Sequence, residues 1–447
     1  MTELQMLATF IVFAAVLLAV TANLVDMAVA AMLGVSVLIV FGIYSHQDIL
    51  SAARASDGSI ALLFGGMVVA RTLEPTGIFD HIGTRFLLLT GGSGKRFLLG
   101  LVALVAALCA FLPNATTVIL LAPVIIRICR QLEVDFVGPV VITAVASNSA
   151  GMLTLVGDPA TFMVGSSIGL SFNQYLAKIS FGGLLALLAM IPLLPVILKD
   201  VWQVRRALPK HLTPEPIKRP VMCLFSLSVL AGMIVLFVLG EALPVQIVPP
   251  AVSIIGASLA LLIIHSARIE PIEQVLRDLD WKTLIFLFCM FCLVEALTKT
   301  GVVQGFALSM HSHFGTDLVL VALAMLAAVS LGSSVIANIP LVAAMLVLVK
   351  GYFVIAELVP EEALGVEFTA WPAAHLPVFV AMMFAGTLGG NATLIGASAN
   401  IVSAGICGSH GNPVSFMRFM RYGVPVTLVQ IGVAALYVMA LFYMVDR

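Results

Sequence analysis

Residues 111–120 read FLPNATTVIL, and the stretch is flanked on both sides by long apolar runs. Pro113 breaks a helix there, and Asn114, Thr116 and Thr117 follow at once. A soluble core rarely leaves so many polar groups to find partners, and a lipid-facing helix avoids them. Such a stretch fits a bent tip inside a membrane protein, where neighbouring protein or water satisfies the backbone that the break frees.

The whole chain supports that setting. Of 447 residues, 61% are hydrophobic and 10% charged, against about 25% charged in a soluble domain. The run ISFGGLLALLAMIPLLPVIL (179–198) has the length that crosses a bilayer. The first apolar run, ATFIVFAAVLLAV, lacks a basic leader and a small-residue cleavage site, and reads as a retained helix. A net charge of −1 argues against a nucleic-acid partner. The six cysteines lie in or beside apolar segments and suggest no disulfide framework. Cys289 and Cys292 share a helix face, and packing is the simplest role for them.

Apolar runs place crossings near 5–22, 26–43, 59–75, 137–169, 179–198, 221–240, 245–264, 284–298, 376–407 and 423–444. Two further runs, 97–128 and 316–350, have polar centres and read as re-entrant hairpins. The expected fold is an all-α polytopic membrane protein of ten crossings and two hairpins, with scaffold and transport parts. With both termini outside, 17 Lys and Arg fall inside and 5 outside, a clear positive-inside bias. The acidic loop with Glu357, Glu361, Glu362 and Glu367 falls outside.

Five crossings per half make two similar halves inverted relative to each other, and the sequence carries such similarity. LLFGGMVVARTLEPTGIF (62–79) resembles LFCMFCLVEALTKTGVV (287–303), with Gly301 lying 224 residues after Gly77. The same shift takes Asn114 to Asn338 of VIANIP. TLVG (154–157) recurs as TLIG (393–396), 239 residues on. The expected division is a first repeat over 1–201 with hairpin 97–128 and broken helix 137–169. A cytoplasmic linker over 202–220 follows, then a second repeat over 221–447 with hairpin 316–350 and broken helix 376–407.

Inverted repeats with broken helices describe a secondary transporter whose site lies at the midplane between them. The first half offers Asn114, Thr116 and Thr117, and then SNSAGMLTLVGDPAT (147–161) with Asn148. The second offers Asn338 and GTLGGNATLIGASAN (386–400), with Asn391, Thr393, Ser398 and Asn400. Unwound Gly-rich segments free carbonyls for cations, and half-helix N-termini direct N–H groups at polar oxygens. Neutral Asn and Thr both donate and accept, which suits a hydroxylated or oxyanionic solute. Asp158, between Gly157 and Pro159, is the candidate for a coupling proton or cation, with an N-cap as the competing role. Glu74 pairs with Arg71 or faces water, Glu295 lies near a helix end, and His311 and His313 read as solvated.

The string LGGNATLIGASANIVSAGICGSHG, with SFMRFMRYGVPVTL after it, resembles the arsenite-permease and P-protein (pink-eyed dilution) branch of the ion transporter superfamily. FLPNATTVILLAPVIIRI resembles that branch's first hairpin, and the likeness runs from about residue 26 to 444. It implies a scaffold domain, usually dimeric, and a transport domain containing the hairpins. It also implies site residues at Asn114, Thr116, Asn338, Asn391 and Thr393, with Ser398 and Asn400 nearby. Two departures stand out. Relatives in the P-protein and antiporter branches commonly carry an acid before each hairpin Asn, where this chain has Pro113 and Ala337. The family's Gly-Asp-Pro-Pro-Asn becomes GDPAT, with Thr161 in place of Asn.

Those departures leave Asp158 as the main carboxylate of the site. They favour proton-coupled efflux of arsenite, antimonite or a similar small oxy-species over a sodium/proton antiporter or a sodium-coupled dicarboxylate carrier. The expected location is a bacterial inner membrane, with lipid around the chain, a homodimeric assembly, and a separate ATPase as an optional partner. No P-loop, Ser–His or HExxH pattern is present, so neither an enzyme nor a cofactor or metal centre is expected.

Overall fold

A computed structural model describes residues 3–21, 24–206, 216–365 and 368–445. The middle of the linker, 207–215, and Glu367 and Arg447 of the charge count lie outside the described residues. The chain is all-helical, and among the described residues the one β-type pairing is an isolated bridge between Ser93 and Arg205.

The helices run α1 Glu3–Thr21, α2 Met27–Val40, α3 His46–Leu73, α4 Ile78–Thr90, α5 Gly94–Cys109, α6 Asn114–Leu132, α7 Val137–Ala150 and α8 Pro159–Ser167. Short helices α9 Phe172–Lys178, α10 Ser180–Leu188, α11 Leu194–Ile197 and α12 Lys199–Gln203 lead to the linker. Beyond it come α13 Pro220–Leu239, α14 Pro249–Ala267, α15 Ile272–Arg277, α16 Trp281–Lys299 and α17 Val302–Phe314. The chain closes with α18 Leu318–Ser333, α19 Asn338–Ile355, α20 Leu376–Gly389, α21 Ser398–Ser409 and α22 Phe416–Val445.

Ten segments among the described residues are long and apolar enough to cross a membrane, but they are not the ten expected from sequence. Asn114–Leu132 and Asn338–Ile355, the second arms of the expected hairpins, are among them. Met27–Val40, Val137–Leu153 and Leu318–Ser333 are shorter. The crossing expected at 59–75 begins at His46, because Ser45 and Asp48 form a capping box that starts the helix in polar sequence. The run 179–198 carries a 3-10 turn at Ile191–Leu193, where Pro192 lacks the N–H that a continuous α-helix needs.

Helix boundaries recur at fixed spacing along the chain. α17, α18 and α19 each begin 224 residues after α4, α5 and α6, and α20 and α21 begin 239 after α7 and α8. Gly77 and Gly301 both take the left-handed conformation, with φ of 77° and 85°. Pro113 and Ala337, just before α6 and α19, share φ/ψ of −56°/141° and −53°/141°. Packing crosses between the halves, with α21 against α6 and α7, and α8 against α19 and α20.

The ion pairs fit the expected sidedness. Lys282–Asp26, Arg71–Asp278, Lys218–Asp80, Arg206–Glu133 and Arg418–Asp135 each join two groups assigned to the inside. Lys299–Asp48 joins two assigned to the outside. Large apolar side chains such as Leu7 and Leu18 of α1 and Val221, Leu224 and Phe225 of α13 stand exposed, as lipid-facing helices require. Cys289 and Cys292 are buried in the packing of α16, and no group of three His, Cys, Asp or Glu among the described residues could hold a metal.

Candidate functional site

The tip at Asn114 forms because α5 ends at Cys109 and Pro113, which cannot donate, sits immediately before α6. Each broken helix passes through one 3-10 turn, Gly151–Leu153 or Gly390–Ala392, into an extended Thr. Thr154 Oγ1 donates to the carbonyl of Ala110, and Thr393 Oγ1 to that of Ser334. Ala110 and Ser334 are the residues that immediately follow α5 and α18, so each unwound segment is tied to the bend before α6 or α19.

Glycine makes this possible. A Cβ on Gly157 would lie 2.5 Å from the Gly151 carbonyl oxygen, and one on Gly396 2.5 Å from that of Gly390. Both clash with backbone, which cannot swing aside.

A cavity of about 570 Å³ lies between these segments, within the usual range for a small-molecule site. Asn114, Thr116, Asn148, Asp158 and Asn338, all buried or half-buried, line its deep part, and Ser398 lines it at an exposed position. Its mouth carries Arg71, Glu74, Asp278 and Asp280, on the side with the excess of Lys and Arg. Arg71 is engaged there by Glu270 and Asp278, each at 2.9 Å, and by Glu74 at 3.4 Å. The deep part thus contains one carboxylate and no cationic side chain.

Asp158 is 3% exposed and caps α8, its Oδ2 accepting from the N–H groups of Ala160 at 3.1 Å and Thr161 at 3.4 Å. Its Oδ1 accepts from Asn114 Nδ2 at 3.2 Å, and Asn114 Oδ1 is buried with no hydrogen-bond partner. The N-cap role weighed against coupling is therefore real. Oδ2 is fully used by the two N–H groups, and Oδ1 still has a lone pair to offer.

Four of the expected residues do not line the cavity. Thr117 is fully buried beside the tip. Asn391 donates to Ser149 Oγ at 3.0 Å and Gln430 Oε1 at 2.9 Å, and accepts from Asn148. Asn400 donates to the carbonyls of Gly390 and Thr393, both at 2.8 Å. Thr393 is taken up by Ser334. In a low-dielectric interior, these amides do best by satisfying one another and the freed backbone.

Arg71, named from sequence only as a partner for Glu74, lines the cavity mouth, and Ser149 and Gln430 hold the buried network behind it. Gln430 lies in the middle of an apolar 30-residue helix, and that isolation in FMRYGVPVTLVQIGVAAL was its one signal. Glu295 lies apart from the cavity, and His311 is half-buried beside Tyr352 rather than solvated.

Comparison with known proteins agrees with this architecture. Residues 10–371 match the family model CitMHS, described as citrate transporter. An uncharacterized transporter of Synechocystis sp. is 42% identical over 97% of this chain and 96% of its own length. The human P protein is 28% identical over 85% of this chain and 53% of its own. The YdaH transporter of Alcanivorax borkumensis shares the fold at a TM-score of 0.56 and 8% identity, over 87% of each chain. The chain belongs to the citrate transporter family and is a multi-pass membrane transporter, not an enzyme.

Proposed function

We propose that this member of the citrate transporter family is a secondary active transporter that carries a small, oxygen-rich solute of low net charge, coupled to protons. The observation that carries this reading is the make-up of the deep cavity, with neutral amides and hydroxyls, one carboxylate at Asp158, and Arg71 held at the mouth by acidic partners. A fully ionised polycarboxylate finds no side-chain counter-charge there. An uncharged trihydroxide such as arsenite or antimonite does not need one, and a partly protonated carboxylate needs little. The family's description favours the carboxylate, and the arsenite-permease resemblance favours the hydroxide.

In this reading, residues 1–201 and 221–447 are inverted repeats, and 97–128 and 316–350 are hairpins whose tips meet at the site. The recurring helix boundaries and tip dihedrals support that division. Movement of the hairpin part against α3, α13 and α14 exposes the site alternately to each side. The energy comes from an ion gradient.

Thermal stabilisation of the purified protein tests the reading, using arsenite, antimonite, citrate and sodium as separate probes. Stabilisation by an oxy-solute that is lost in Asn114→Ala and Asn338→Ala is the expected result. Stabilisation by sodium alone, with no oxy-solute effective, points instead to the sodium/proton antiporter.

A further inference from the structure

The two broken helices follow the same backbone course but differ in charge at the residue before the second arm. Asp158 and Ala397 both immediately precede the second arm, with φ/ψ of −141°/136° and −149°/148°. They are separated by the same 239 residues as the arms they precede. On one side an Asp caps α8 and neutralises its N-terminus. On the other, α21 has no side-chain cap and keeps its partial positive charge, as does α19 behind Ala337.

The side chains follow the same division. On the first-half wall, Asn114 Oδ1 is buried and unpartnered, and both hydrogens of Asn148 Nδ2 are taken by Asn391 and Asn400. Asn148 thus has only its acceptor oxygen left, while Asn114 keeps one Nδ2 hydrogen beyond the one given to Asp158. On the second-half wall, Asn338 is 8% exposed and its Oδ1 already accepts from the Ile339 N–H at 2.8 Å. No hydrogen bond among the described residues engages its Nδ2 or the Ser398 hydroxyl, so this wall has two Nδ2 hydrogens and a hydroxyl to offer an anionic oxygen.

We propose that the cavity holds its ligand in one orientation, an ionised oxygen against Ala397, Ser398 and Asn338, and a proton-bearing oxygen against Asp158, Asn114 and Asn148. Ala397 is the position that sets this polarity. A singly ionised oxyacid, carrying both O⁻ and O–H, matches both walls, whereas a symmetric neutral trihydroxide uses only part of the asymmetry. This inference rests on the cavity being the transport site.

The test is calorimetric titration of the purified full-length protein with citrate, at a pH where it is partly protonated, and with arsenite. Ala397→Asp copies the first-half charge, and Ala397→Asn supplies the same shape without it. Asp suits a helix N-cap, so the melting temperature of the ligand-free variant should not fall. Citrate affinity should drop at least tenfold in Ala397→Asp and stay within threefold in Ala397→Asn. Ser398→Asp, at the exposed next position, should repeat the loss. Equal losses in the Asp and Asn variants, or tighter citrate binding with Asp, overturn the orientation. Wild-type binding of arsenite but not citrate overturns the charged ligand while leaving the transport site in place. Binding of neither probe overturns the transport-site reading, and this inference with it.

Discussion

Asn148 Nδ2 lies 3.0 Å from Oδ1 of both Asn391 and Asn400, joining positions 243 and 252 residues apart. One amide at the cavity wall thereby locks the unwound segment contributed by the other half of the chain. From Asn391 the network continues to Ser149 and Gln430, and Gln430 Nε2 reaches Ser149 Oγ at 2.9 Å and the Ala186 carbonyl at 3.0 Å.

Asn391→Ala should therefore act on stability before it acts on binding. It leaves Gln430 Oε1 without its donor and removes two further hydrogen bonds at a fully buried site. The expected loss is roughly 2–4 kcal/mol, since an unsatisfied buried polar group costs about 1–3 kcal/mol. Thermal unfolding in detergent should show a clearly lower melting temperature, with transport falling in step with the folded fraction.

Asn114→Ala and Asn338→Ala should do the reverse. Both residues line the cavity, and each has an amide atom that no protein group engages. Melting temperatures should stay within a few degrees of the parent, while flux falls by an order of magnitude or more. Resistance to arsenite, or growth on a carboxylate, at parental level with normal expression of either variant would remove these residues from the site.

Asp158→Asn separates capping from coupling. Asn caps a helix about as well as Asp, so α8 keeps its start and the protein its fold. The lost group is the only carboxylate in the deep cavity. Exchange without a pH gradient should persist at reduced rate, and stimulation by a gradient should vanish. Gradient-driven accumulation at the parental level in Asp158→Asn would assign the coupling proton elsewhere.

Much of this was legible in the sequence, for identifiable reasons. Pro113 and the Gly157-Asp158-Pro159 run announce breaks because proline lacks an N–H and glycine tolerates close approach. Position 337 shows the limit, since Ala337 takes the same dihedrals as Pro113 with no residue-level signal except its spacing. Polar residues in an apolar chain were also legible as important, but not what they touch. An asparagine facing a ligand and one facing a freed carbonyl read alike, which is why Asn391, Thr393 and Asn400 were grouped with Asn114. Arg71 was legible only as a partner for Glu74, because Glu270 and Asp278, which also hold it, lie about 200 residues away.

Gly157→Ala and Gly396→Ala should each destabilise the protein by about 1–3 kcal/mol, the usual range for forcing an atom into a packed interior. The obstacles are the carbonyl oxygens of Gly151 and Gly390, both at 2.5 Å. Gly232→Ala is the control, because a Cβ there meets nothing within 4 Å. Melting curves of the three variants should rank the control at parental stability and both others below it.

In the proposed mechanism, solute crosses through the cavity between Asn114 and Asn338 by gradient-coupled alternating access. Flux of arsenite and of citrate into proteoliposomes, measured with and without a pH gradient, tests it most directly. Saturable flux of at least one of them, accelerated by the gradient and abolished by Asn114→Ala and Asn338→Ala, is the expected result. Flux that rises linearly with concentration, ignores the gradient, or persists unchanged in both variants would contradict it.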